Sequence, residues 1–367
     1  MSEKSEYISK QDGLPGIESR SFLSGLESYT LANGKGMSVT IINYGAAIAK
    51  IVVPDRDGNF ADVVLGHDDP KGYIGGRFYL GATVGRFANR IAAGHFMLRG
   101  KEYQVTKNRN GNLLHGGNSG FDKKFWKTKI VRAGENPAIE LKLLSPDGDE
   151  GFPGNLEVRI LYTVTPDNEL RIEYTAETDN TTVINLTNHG YFNLTGSAEN
   201  TILDHVLSIN AGAFTPTDDG GLPTGEIRDV SGTPMDFRKL TVVGERIGDG
   251  YDQMKNSKGY DKNFVLNGYD GEIHKAAVLY EPVSGRVMEV LTDQPGLQFY
   301  TGNYLDGMME GKNGVYYKER TGLCLECQHF PDSPNRQNFP STALEPGDVY
   351  RQTTIYKFSV DMDPNRK

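Results

Sequence analysis

Several chemistry-bearing residues of this chain stand in strand-like runs where apolar side chains are expected. In Val183–Leu194 (VINLTNHGYFNL), alternation puts Asn185, Thr187, His189, Tyr191 and Asn193 on one face, against Ile184, Leu186, Phe192 and Leu194 on the other. A solvent-washed face would favour Lys and Glu. This one carries uncharged hydrogen-bonding groups and an imidazole, which suits the floor of a cleft for a neutral polar ligand. An ordinary outer face with a structural histidine is the plainer reading. In Leu323–Phe330 (LCLECQHF), Glu326 shares a face with Cys324 and Gln328 in an otherwise apolar strand. A carboxylate placed there either reaches solvent at a rim or sits in a pocket with a shifted pKa.

Two further segments carry weaker signals. Asn112–Gly117 (NLLHGG) places two glycines after His115, which permits a tight turn or close backbone approach to a ligand. Gly85–Ile91 (GRFANRI) holds two arginines four apart around Asn89, able to clamp polar oxygens or to form surface ion pairs. The only cysteines, Cys324 and Cys327, are spaced C-x-x-C within a strand, so they point to opposite faces. One such pair is neither a disulfide framework nor a four-ligand zinc site. G-x-S-x-G, a phosphate-binding loop, a dinucleotide fingerprint and H-E-x-x-H are all absent from the sequence. Three Asn-x-Thr matches, at Asn180, Asn185 and Asn193, read as chance.

The elements that must position these residues are short strands. Leu156–Val164 and Leu170–Ala176 alternate apolar and polar side chains about the turn Pro166-Asp167-Asn168 and predict a hairpin. Phe96–Leu98 with Tyr103–Val105, and Ala276–Tyr280 with Val287–Leu291, predict two more, and Ile139–Leu143 and Val39–Ile42 further strands. No run of about a dozen residues shows helical periodicity. Gly 44 and Pro 17 in 367 residues fit many short elements joined by turns. The expected fold is all-β, a sandwich or barrel of large sheets. Residues 1–20 read as a flexible segment and 21–367 as one domain, with 215–235 and 244–260 as loops.

A net charge of −9 disfavours nucleic acid as a partner, and no apolar stretch is long enough to span a bilayer. The polar N-terminus lacks a signal-peptide core, so the chain reads as cytoplasmic, with the periplasm or secretion left open.

Taken together the segments resemble the aldose 1-epimerase (galactose mutarotase) family. The matching strings are GRFANRI (85–91), LHGG with GFD (114–122), SPDGDEGFPGNL (145–156), NLTNHGYFNL (185–194), GYDKNF (259–264), PGLQFYTGN (295–303), LECQHFPDS (325–333) and PGDVYRQTTIYKF (346–358), in the family's order. The resemblance implies a large antiparallel β-supersandwich, a monosaccharide substrate such as galactose or glucose, no cofactor, no metal, and a monomer or weak homodimer. It implies Glu326 as general base on the anomeric hydroxyl and His189 as general acid on the ring oxygen, a pair that suffices for ring opening and reclosure. His115, Asn89, Arg90, Asp261 and Gln298 are implied as sugar contacts, with Tyr191 lining the floor. As first donor, His189 is expected to rest protonated, its pKa raised by Glu326 and Asp261. The chain departs from the family in Gly190, where Ser is usual, and Cys327, where Thr is common. A silent carbohydrate-binding protein, or a glycoside hydrolase using Glu326 and Asp261 as its two carboxylates, are the competing readings.

Overall fold

The computed structural model describes residues 16–22 and 24–361. The alternating runs become paired strands. Leu156–Val164 and Glu169–Thr178 form an antiparallel hairpin whose turn places Asn168 at φ +57°, a left-handed conformation that Asn tolerates. Leu156, Val158, Ile160, Tyr162 and Val164 are buried on the face that alternation assigns to them, as are Leu170, Ile172 and Tyr174 beside them. The other two hairpins form as His95–Leu98 with Lys101–Gln104 and His274–Tyr280 with Arg286–Thr292. The strands Ala138–Ser145 and Ser38–Ile42 contain the two remaining runs.

The largest sheet has nine strands. Its central members, in spatial order, are Ala138–Ser145, Leu156–Val164, Glu169–Thr178, Tyr350–Val360, Arg286–Thr292 and His274–Tyr280. A second sheet has five strands, ordered Arg228–Asp229, Ala211–Thr215, Asp261–Leu266, Gly296–Tyr300 and Cys324–Gln328. A third, a five-stranded meander, runs from Gly16–Ser21 to Phe60–Asp62. The strand pairings in the nine-stranded sheet and the second sheet are antiparallel. These sheets pack face to face. Tyr356 Oη donates to the Leu325 carbonyl at 3.2 Å, and Gln352 Nε2 to the Cys327 carbonyl at 3.0 Å. Phe214, Phe264, Leu297, Phe299, Leu325 and Cys327 belong to the same buried core as Tyr162, Tyr174 and Tyr356. This is the large antiparallel sandwich expected.

The structure corrects two readings. Residues 16–20 of the segment predicted flexible lie in a strand, because Gly16–Ser21 pairs along its length with Glu27–Ala32; residues 1–15 fall outside the described residues. Val183–Leu194 is not one half-exposed strand. Only the two-residue strands Thr182–Val183 and Thr187–Asn188 and single bridges at Asn185 and Phe192 form, and every residue of the run is buried. Here the chain threads between other segments, and its polar side chains satisfy their backbones. Asn185 exchanges hydrogen bonds with His329, Nδ2 donating to the carbonyl at 3.1 Å and Oδ1 accepting from the amide at 2.9 Å. Asn193 Nδ2 serves the carbonyls of Ser197, Asn200 and Thr321. Neither asparagine is therefore free to floor a cleft. The loops expected at 215–235 and 244–260 hold little regular structure beyond the short strand Arg228–Asp229 and the helix Asp252–Lys255, the only α-helix among the described residues.

Candidate active site

The five-stranded sheet builds the site through its register. Thr215 pairs with Asn263, Asn263 with Gln298, and Gln298 with Glu326, so four polar residues form one cross-strand row. The next row toward the sheet end is Asp261, Tyr300 and Cys324. Positions of the other parity, including Phe264, Leu297 and Cys327, enter the core. Cys324 and Cys327 thus diverge as the spacing predicted, and both are free and buried.

Glu326 is 2% exposed and His189 4%. His189 Nε2 lies 3.9 Å from Glu326 Oε1, and Cys324 Sγ lies 3.6 Å from the other ring nitrogen. The donor atoms of His115, His189 and Glu326 all lie within 4.8 Å of one another. By residue type that trio could hold a cation, but His115 does not present a free lone pair. Its Nδ1 accepts the Asn89 N–H at 3.1 Å, so in the neutral ring the proton sits on Nε2, which then faces the site as a donor. The His115 N–H donates in turn to the Asn89 carbonyl at 2.9 Å. Asn89 and His115 hold left-handed backbones, φ +59° and +50°, and this reciprocal pairing locks both.

The two arginines of GRFANRI separate. Arg86 turns inward and donates to the carbonyls of Ser145, Pro146, Pro153 and Gly154, tying down the SPDGDEGFPG loop. Arg90 donates to Asn89 Oδ1 at 3.2 Å and lines a cavity of about 210 Å³. Asn89, Asp261 and Gln298 line the same cavity, and Gln298 Nε2 donates to Asp261 Oδ1 at 2.6 Å. Asn89 and Gln298 are the direct neighbours of His115 and Glu326, so through them the buried trio adjoins this cavity. Its charged lining balances: Arg90, Arg109 and Lys262 against Asp218, Asp219 and Asp261. Such a pocket suits a small neutral polar molecule, being below the roughly 300–1,000 Å³ of sites for drug-sized ligands.

Every sequence-predicted residue is thus gathered at one place. Tyr191 stands with its ring 5.0 Å from that of His189. The expected ionisation is not found. Burial pushes His189 down to about 4 and Glu326 well above the carboxylate range, and Asp261 raises the His189 value by less than burial lowers it. In the free site burial thus favours the neutral form of each group. His115 is held well below its ordinary value by burial and by the neighbouring His189. Sequence reasoning missed Asn263, Tyr79 and Lys262. The first was legible in GYDKNF by its alternation with Asp261. Lys262, of core parity, bends its ammonium to Ser257 Oγ at 3.3 Å and carries no such signal. Gly190 sits in a tight spot, where an added Cβ would crowd Asn188 Oδ1 and Phe192 at 3.2 Å.

A sequence model of the family described as Aldose 1-epimerase matches residues 27–357. The galactose mutarotase of Homo sapiens is 44% identical over 324 residues, covering 88% of this chain and 92% of that protein. The aldose 1-epimerase of Escherichia coli K12 is 37% identical, covering 90% and 94%. Among solved structures, galactose 1-epimerase from Lactobacillus acidophilus superposes with a TM-score of 0.82 at 29% identity, covering 98% and 99%. The fold is shared with these relatives, a large antiparallel sandwich. The chain belongs to the aldose 1-epimerase family and is an isomerase of the mutarotase type.

Proposed function

We propose that the chain interconverts the α and β anomers of an aldohexose, galactose or glucose, with Glu326 and His189 moving the protons. The observation that carries this reading is the buried His189–Glu326 pair, 3.9 Å apart and joined through Gln298 to a charge-balanced cavity. In the ring-opening step the C1 hydroxyl passes its proton to the Glu326 carboxylate and its oxygen forms the C=O bond. The C1–O5 bond breaks, O5 keeps the electron pair, and His189 protonates it. Rotation about C1–C2 turns the aldehyde over, and closure runs the proton transfers backwards.

The ionisation of the free site bears on this cycle. Imidazolium with carboxylate, and imidazole with carboxylic acid, differ only in where one proton sits. Glu326 Oε2 has no hydrogen-bond partner among the described residues. A sugar hydroxyl donating to that carboxylate favours its ionised form and sends the proton to His189, the state ring opening needs. Ring opening then leaves Glu326 protonated and His189 neutral, the form that burial favours. The low-dielectric pocket therefore pulls toward the open chain. His115, donating from Nε2, and Arg90 stabilise the oxygens on which charge develops. Polarimetry on freshly dissolved α-D-galactose and α-D-glucose tests the proposal. Anomerisation well above the buffer rate is expected, and a rate equal to buffer would sink it.

A further inference from the structure

We infer that Tyr79 and its turn are the device that aims the His189 imidazole, an inference that rests on the acid–base reading above. Two phenol rings pack against the imidazole at shallow angles. Tyr79 stands 5.7 Å away at an interplanar angle of 27°, and Tyr191 5.0 Å away at 34°. The Tyr79 ring also meets His115 edge-on at 4.7 Å, while the two imidazoles are 5.2 Å apart at 80°. Tyr79 thus touches both histidines of the site. This contact matters because the outer torsion of a histidine has broad, shallow minima, so packing must set the ring plane. The plane decides whether Nε2 points at the space beside Glu326.

The backbone of the turn is tied to the same residue. His189 N–H donates to the Ala82 carbonyl at 2.9 Å, and Gly81 N–H donates to the His189 carbonyl at 3.0 Å. The Gly81 carbonyl accepts from Asn188 Nδ2 at 2.7 Å and from the Ile48 amide at 2.9 Å. Ala82 N–H closes the turn on the Tyr79 carbonyl at 3.0 Å. Tyr79 itself sits at φ +57°, a conformation a bulky residue holds only when its surroundings over-determine it. Gly81 allows the approach, since a Cβ there would lie 2.0 Å from the Ile48 carbonyl oxygen. Backbone and ring of one residue group therefore fix the His189 backbone from one side and its ring from another. The Tyr79 hydroxyl plays no part in this, so Tyr79 is a positioning residue acting through the face and edge of its ring.

The test compares Tyr79→Gly, which suits the left-handed backbone, with Tyr79→Phe, which keeps the ring. Wild-type anomerisation is measured first; its absence would end the acid–base reading and is a separate failure. Given an active wild type, Tyr79→Gly is expected to lose about 10²-fold in kcat with KM changed less than about threefold, as misplacement of a catalytic group by about 1 Å does. Tyr79→Phe is expected to stay within about threefold of wild type, in keeping with a ring-packing role. A Tyr79→Gly protein as fast as wild type, or a Tyr79→Phe protein as slow as Tyr79→Gly, overturns the inference. Thermal melting checks the fold, and Tyr79→Ala takes the place of Tyr79→Gly under the same expectations if the glycine variant does not melt cooperatively. A loss confined to KM also overturns it, since a misaimed acid must show in kcat.

Discussion

At the scale of single residues, the site rests on two groups that burial has driven away from their charged forms. Replacing Glu326 by Gln removes the base without changing shape, and His189→Ala removes the acid. Each is expected to lower kcat by about 10²–10⁴-fold in coupled polarimetry, with the melting temperature nearly unchanged. Similar rates in either variant would take that residue out of the proton path. The pH profile follows from the directions of shift. An ordinary histidine acid would give an inflection in kcat/KM near its free value of 6.5. His189, held down to about 4 by burial, gives none there. Burial keeps His189 neutral through that region, so kcat/KM is expected to show no histidine inflection near 6.5. An inflection near neutrality would show that His189 is not desolvated as the geometry implies.

At the scale of elements, legibility in the sequence followed the kind of constraint each segment obeys. The hairpin Leu156–Thr178 was readable because one face meets the core and the other meets water, which writes period two into the residues. Val183–Leu194 shows the same alternation but is enclosed on both sides, so its polar positions answer to neighbouring backbones that no local pattern reveals. His189 and Glu326 stood out as polar residues in apolar company. Their partnership, across 137 positions of chain, came from resemblance to a family and not from spacing. Tyr79 and Lys262 were illegible, since their roles depend on which strands lie beside them. Arg86 shows the same limit, for it shares a string with Arg90 and does different work. It holds four carbonyls from a buried position. Arg86→Lys, with fewer donors in a different geometry, is expected to destabilise the fold by about 3 kcal/mol, read as a lower melting temperature. Unchanged melting would mean that the SPDGDEGFPG loop holds itself.

At the scale of the whole molecule, charge and acid sensitivity separate from the site. The chain carries −9, yet the cavity lining is balanced, so binding a neutral sugar should hardly feel ionic strength. KM is expected to change less than about twofold between 20 and 300 mM salt, a range over which screening would move a charged ligand. Acid is a different matter. His189, His205 and His329 are all held down to about 4 by burial. Because their folded values lie below the unfolded 6.5, the unfolded chain binds more protons between pH 6.5 and 4, and stability falls as pH drops through that window. Each group removes on the order of 3 kcal/mol by pH 4, enough together to consume a typical fold's margin. Calorimetry should show the melting temperature falling steeply below pH 6.5, and less steeply in His205→Gln, whose amide oxygen can still accept from Leu194 N–H as the imidazole Nε2 does at 2.9 Å. The polar row Thr215–Asn263–Gln298–Glu326 carries a last consequence. Strands have only two sides, so sliding Cys324–Gln328 by a single position against its neighbour would swing the carboxylate toward Phe299 and Leu297 and turn a cysteine to the sugar. No misaligned conformer could turn over substrate, and a simple optical-rotation trace therefore doubles as a count of molecules whose hydrogen-bond ladder closed correctly.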